Sequence, residues 1–123
     1  MHVQTSSRRA ARRDAVFRAL ADPTRRAMLD RLRDRESSVS ELAEPFSMSQ
    51  PAVSQHLKVL ADAGLVRARR DGRQRLYRLR PAPLREAFDW LERYARFWSE
   101  KLDALGAYLD RDEDERDDEE EGR

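Results

Sequence analysis

The stretch from Ser38 to Gly64 constrains this chain most, because it accommodates two short helices with a tight turn between them and little else. Ser38 followed three residues later by Glu41 matches a capping box, in which each side chain bonds the other residue's backbone N–H. Pro45 lies a few residues further on and stops that helix early. Phe46-Ser47-Met48 forms a turn, and Ser49 is placed to cap a second helix. Pro51 is compatible with the second helix only because it falls in the first turn, where a missing N–H costs nothing. Gly64 ends it, since glycine readily adopts the left-handed conformation that follows a helix.

The flanking segments extend the pattern. Residues 1–7 are short and polar and are expected to be disordered. Ala15, Val16, Ala19 and Leu20 recur at helical spacing behind a basic cluster of Arg8, Arg9, Arg12 and Arg13. Asp22-Pro23-Thr24 starts another helix, with Asp22 as cap and Pro23 in the first turn, running through Ala27, Met28, Leu29 and Leu32 to about Arg33. After Gly64 the pattern becomes extended: Leu65–Arg70 and Gln74–Leu79 flank Asp71-Gly72, the best local hairpin signal in the chain. Pro81 and Pro83 then open a long helix from about Leu84 to Leu109. The predicted order is α-α-α-α-β-β-α, a mainly helical fold with a small β-hairpin wing (α+β), over residues 8–109.

Composition bounds what such a chain can do. Its 123 residues suit one small domain, and 40% of them are charged, so the core is thin and an oligomer interface can supply missing burial. The net charge of +1 hides a division. Residues 110–123 hold ten Asp/Glu and three Arg, a balance of −7, which leaves +8 on residues 1–109. The acidic run has no apolar period and is expected to be a disordered tail. A basic domain suits an anionic partner. The absence of cysteine excludes disulfides, thiolate metal sites and thiol redox switches. No apolar run approaches the roughly 18 residues of a membrane span, and the N-terminus lacks a signal-peptide stretch, so a cytoplasmic location without a membrane partner is expected.

On the helix after Ser49, Val53, Leu57 and Leu60 share one face and Pro51, Gln55, Lys58 and Asp62 the opposite one, with Ser54 at its border. The polar face carries amide, hydroxyl and ammonium groups. Gln pairs with the N6/N7 edge of adenine, Ser with either donor or acceptor, and Lys with guanine or phosphate. Two helices joined by a short turn, the second polar near its N-terminus, fit a major-groove reader of double-stranded DNA. The candidate DNA contacts are Ser49, Gln50, Pro51, Ser54, Gln55, His56 and Lys58. An ordinary amphipathic surface helix would show the same wheel. The hairpin favours the DNA reading: Arg67, Arg69, Arg70, Arg73, Arg75 and Arg78 surround Asp71-Gly72, and phosphates would give these like charges a partner. Arg70, Arg73 and Arg75 are the candidate wing contacts, against the plainer reading of a solvated hairpin protected by charge.

The last helix carries two apolar stripes. Leu84, Phe88, Leu91, Ala95, Trp98, Leu102, Leu105 and Leu109 alternate steps of four and three, a heptad pattern, while Ala87, Trp90, Tyr94 and Phe97 form the second. One wide stripe could bury in a single domain; two suggest a helix shared between its own core and a partner copy.

Phe17-Arg18-Ala19-Leu20-Ala21-Asp22-Pro23-Thr24-Arg25-Arg26, Ser40-Glu41-Leu42-Ala43-Glu44-Pro45-Phe46, Ser54-Gln55-His56-Leu57-Lys58-Val59-Leu60 and Ala63-Gly64-Leu65-Val66 closely resemble the ArsR/SmtB family of bacterial repressors. Gly72-Arg73 followed by Tyr77-Arg78-Leu79 looks like that family's wing, and the likeness covers roughly residues 14–109. The resemblance implies a winged helix-turn-helix fold and a homodimer that represses transcription from a palindromic operator. It also implies that the first and last helices form the dimer interface, with Val16, Leu84, Phe88, Leu91, Ala95, Trp98, Leu102 and Leu105 as the candidates. The metal-sensing members carry Glu-Leu-Cys-x-Cys where this chain has Ala43 and Pro45, neither of which binds metal. His56 lies inside the reading helix and suits a DNA contact or a local structural hydrogen bond better than a metal. A carboxylate-only site from Asp89, Glu92, Glu100 and Asp103 is the weaker alternative to a solvated face. The expectation is therefore no metal and no cofactor, with the effector unknown.

Two other functions compete. An interaction module would use the winged helix to bind protein, with the acidic tail repelling DNA; a salt titration separates that from DNA binding. An enzyme is rejected. There is no Ser/His/Asp arrangement, Gly-rich phosphate loop or paired-carboxylate site, and Ser54 and His56, two apart on a helix, point in different directions.

Overall fold

A computed structural model describes the backbone of residues 2–121 and the side chains of residues 8–115; Met1, Gly122 and Arg123 lie outside the described residues. The elements are α1 (His2–Leu20), α2 (Pro23–Asp34), β1 (Ser37–Ser38), α3 (Val39–Ala43), α4 (Gln50–Asp62), β2 (Val66–Asp71), β3 (Gln74–Leu79) and α5 (Ala82–Glu121). The chain divides into two units, residues 1–87 and 88–123.

The helix starts form where the capping signals place them. Asp22 accepts the Arg25 backbone N–H at 3.0 Å, with Pro23 opening α2. Both halves of the Ser38/Glu41 box close at 3.2 Å. Gly64 takes φ +78° after α4, and its N–H donates to the Ala61 carbonyl at 2.9 Å. These contacts satisfy polar groups that helix ends would otherwise leave bare.

The core of the first unit joins Val16 and Ala19 of α1, Met28, Leu29 and Leu32 of α2, Leu42 of α3 and Val53, Leu57 and Leu60 of α4. Leu65, Val66 and Ala87 complete it. In α1, α2 and α4 the apolar positions that recur at helical spacing supply this core, with Ala15 and Leu20 only partly buried.

The sheet contains a strand that the sequence does not announce. Ser37 pairs with Tyr77 and Ser38 with Leu76, giving three antiparallel strands in the order β1-β3-β2. Two serines carry no β pattern, and pairing, rather than propensity, buries them to 0% and 5% exposure. The hairpin loop also differs from the Asp-Gly expectation. Asp71 pairs with Gln74, so the two loop residues are Gly72 and Arg73. Gly72 has φ +64° and, among the described residues, no non-glycine residue has positive φ, which matches a type II′ turn with glycine in its first central position.

The ends differ too. Residues 2–7 and 110–121, expected to be disordered, have helical backbone as parts of α1 and α5. No Gly or Pro falls in either segment to stop a helix. Apolar periodicity reports packing, so its absence alone does not end one.

Candidate nucleic-acid interface

The α4 helix is fixed from one side. The Ser49 Oγ accepts the Ala52 N–H at 3.3 Å, and Val53, Leu57 and Leu60 are all 0% exposed. Pro51, Ser54, Gln55 and Lys58 are exposed on the opposite face. Among the described residues, Ser54, Gln55 and Lys58 have no hydrogen-bond or ion-pair partner, so their amide, hydroxyl and ammonium groups are available to a ligand. Gln50 is partly committed: its Nε2 donates to the Ser40 Oγ at 3.1 Å and ties α4 to α3.

His56 takes a structural place. Its side chain is 23% exposed, and its Nδ1 lies 3.4 Å from an Arg25 guanidinium nitrogen and 4.0 Å from the Asp22 carboxylate. The same Arg25 donates to the carbonyls of Ala19 at 2.7 Å and Arg18 at 2.9 Å. Arg26 likewise donates to the Leu20 carbonyl at 2.8 Å. Two arginines thus close the last carbonyls of α1, and His56 connects α4 to that junction. The Arg25 N–H holds the Asp22 carboxyl below its ordinary range, with His56 and Arg25 adding to the effect and burial opposing it. Nothing in the local sequence marks Arg25 for this, because its partners lie 6, 7 and 31 positions away.

The hairpin register sorts the wing arginines. Arg70 pairs with Arg75, and Arg67 with Arg78. Directly paired residues share a sheet face. Arg70 and Arg75 therefore lie with Val66, Ala68, Tyr77 and Leu79, on the side where the core packs, but at the exposed tip beyond it. Arg73 sits in the turn between them. Among the described residues none of these three arginines has an ion-pair or hydrogen-bond partner. Like charges opposed across a ladder repel, so this tip is suited to an anion.

Arg69 is different, and it corrects the picture of six equivalent charges. On the other face it donates from Nε at 2.9 Å and from Nη2 at 2.6 Å to one oxygen of Glu36. That bond holds the Glu36 carboxyl below the usual range and raises Arg69. Glu36 lies 33 residues away in sequence, beyond any local signal.

The candidates for a partner interface fall in two groups. Val16, at 1% exposure, belongs to its own core and presents no surface. Leu84 is partly buried against that core. In the second unit Phe88, Leu91, Trp98, Leu102 and Leu105 are 49–61% exposed, and Ala95 is exposed with them. The second stripe diverges: Ala87 is 3% exposed in the first unit's core, while Tyr94 and Phe97 stand about half exposed. Trp90 and Tyr94 pack ring to ring at 5.2 Å.

Among the described residues no three His, Asp or Glu side chains come together as metal ligands, and no helix is long and apolar enough to cross a membrane. Residues 22–68, from the α2 cap into β2, match the model of bacterial regulatory proteins of the arsR family. The chain is 43% identical to the HTH-type transcriptional regulator Rv2034 of Mycobacterium tuberculosis, over 83% of this chain and 92% of that protein. It is 36% identical to the transcriptional repressor SdpR of Bacillus subtilis, over 62% of this chain and 84% of that one. A crystal structure of an ArsR family transcriptional regulator superposes with a TM-score of 0.67 at 38% identity, covering 73% of this chain and 93% of that one. A capped helix-turn-helix with a free polar face, a β-hairpin wing and these similarities together place the chain in the ArsR family, as a winged helix-turn-helix, DNA-binding transcriptional regulator that is not an enzyme.

Proposed function

We propose that the chain is a cytoplasmic homodimeric repressor that occupies a palindromic operator, with α4 in the major groove and the arginine wing on the flanking phosphates or in the minor groove. The observation that carries this reading is the set of unpartnered polar groups on α4 and at the wing tip. Ser54, Gln55 and Lys58 are exposed above a fully buried apolar face, and Arg70, Arg73 and Arg75 gather at one hairpin end. Base edges and phosphates are the chemistry that completes both sets. Repression follows from occupancy, because a protein seated on an operator keeps polymerase off it.

The exposed ladder of the second unit supports the dimer. Leu91, Trp98, Leu102 and Leu105 repeat at heptad spacing and are about half exposed or more. Large apolar side chains in a contiguous exposed row mark an interaction surface, and a two-fold pairing of identical faces is the commonest way to cover one.

Selection of bound duplexes from random DNA, followed by a salt titration of the enriched sequence, tests the reading. The expected product is an inverted repeat with half-sites about one helical turn apart, bound with an affinity that falls steeply as salt rises. An unstructured product pool or a flat salt response would overturn it.

A further inference from the structure

A two-stranded hairpin is marginally stable by itself, and a wing that must find phosphates gains from being held in place before DNA arrives. Two features attach this one to the helix-turn-helix. The first is β1, whose Ser38 both pairs with Leu76 of β3 and caps α3. The second lies on the face away from the core. With the order β1-β3-β2, Glu36, just ahead of β1, and Arg69, on β2, stand on opposite sides of the central strand. The Arg69 side chain spans that strand to reach Glu36, with both donors on one carboxylate oxygen. Arg78, on the central strand, adds its positive charge beside the same carboxylate. The Glu36 side chain is 29% exposed and that of Arg69 55%, so the carboxylate end is partly sheltered while the guanidinium end faces solvent.

We propose that Glu36 is a positioning residue for DNA binding: it holds Arg69 as a strap across the wing sheet, so that Arg69 fixes the wing against the helix-turn-helix instead of contacting phosphate. The proposal rests on the wing reading given above. It assigns a part to an acidic residue on a surface where simple electrostatics would count it as a hindrance. Fixing the wing in its bound orientation lowers the ordering cost of association. It also divides the hairpin's work, with the tip arginines binding and Arg69 bracing.

The sign of one substitution separates the two views. Removing a negative charge near a polyanion should tighten DNA binding if only the field matters. If Glu36 is a strap, Glu36→Ala should weaken binding about two- to five-fold, the range expected for a single exposed or partly sheltered ion pair. The assay is a fluorescence-anisotropy titration of the full chain on a duplex of about 30 base pairs enriched by the chain itself, long enough for two half-sites, at several salt concentrations. Arg69→Gln should give a similar loss with an unchanged salt slope, whereas a phosphate ligand would lower the slope by about one. The exchanged pair Glu36→Arg with Arg69→Glu keeps the net charge and should recover most of the affinity. Tighter or unchanged binding by Glu36→Ala, or a slope lowered by Arg69→Gln, overturns the proposal. Arg73→Ala isolates the underlying reading: it should lower the slope by about one, and if it does not, the wing does not touch phosphate and the strap falls with it.

Discussion

The Nδ1 of His56 lies 3.4 Å from an Arg25 guanidinium nitrogen, which joins the middle of α4 to the junction between α1 and α2. A guanidinium only donates, so in this contact Nδ1 serves as the acceptor. His56→Ala removes that acceptor while Arg25 keeps its bonds to the Arg18 and Ala19 carbonyls. The expected result is a stability loss of about 1 kcal/mol in urea unfolding, with unchanged base preference in a competition assay. A changed base preference would return His56 to the DNA contacts.

Gln55 is the opposite case. It is exposed on α4, and its neighbours within the chain make no claim on its amide. Gln55→Ala should leave the melting temperature nearly unchanged and cost about 1–3 kcal/mol of discrimination at one base position if the pairing to adenine is bidentate. Binding to non-specific duplex should stay the same. Retained discrimination at every position would shift the reading to Ser54 and Lys58.

How far these roles were legible depends on the distance over which each is determined. The Ser38/Glu41 box, the Asp22 and Ser49 caps and the Gly64 terminator act within a few residues, and each was visible as a local pattern. The buried and exposed faces of α4 follow from helical periodicity in the same way. What sequence reasoning missed is set by tertiary pairing. Ser37 and Ser38 become a strand because Tyr77 and Leu76 lie beside them, and Arg69 becomes a strap because the sheet brings Glu36 within reach. Val16 shows the converse: helical spacing identified it as apolar, but could not say whether its own core or a partner covers it.

Glycine at position 64 is required twice over. Its φ of +78° disfavours any side chain, and an added Cβ would stand 3.3 Å from the Pro83 Cγ at the entrance to α5. At Gly72 φ is +64° but nothing lies within 4 Å of the added carbon. Both alanine substitutions carry the left-handed penalty of about 1–2 kcal/mol. Gly64→Ala should therefore destabilise more than Gly72→Ala in parallel urea titrations. Equal losses would mean that Pro83 gives way freely.

The capping carboxylates make stability depend on pH in a defined direction. The Arg25 N–H lowers Asp22 from 3.8, and the Ser38 N–H lowers Glu41 from 4.5. Each group binds fewer protons folded than unfolded, so its contribution is fully present above its ordinary value and is lost as pH falls through the lower folded value. The melting temperature should thus decline below about pH 4.5 from these two groups. The deficit of Asp22→Ala relative to the parent should be present at neutral pH and shrink as the pH falls below 3.8. A deficit independent of pH would mean that the carboxylate charge contributes nothing to the cap.

Leu91 tests the partner face. It is 49% exposed within its own chain and is the third of the eight heptad positions. A symmetric seam would bury it twice, once from each copy. Because its own chain already covers half of Leu91, Leu91→Glu removes two half-burials, about 0.8–1.5 kcal/mol each, and places two like charges together. The dissociation constant should rise by more than about tenfold, and analytical ultracentrifugation should show a monomer at concentrations where the parent is dimeric. Arg93→Glu, two residues on and on the opposite face, should leave the dimer intact. Operator affinity should fall with the dimer in the first variant only, since the monomer presents one reading helix where the inverted repeat offers two half-sites. A Leu91→Glu chain that sediments as a dimer would move the interface away from this stripe.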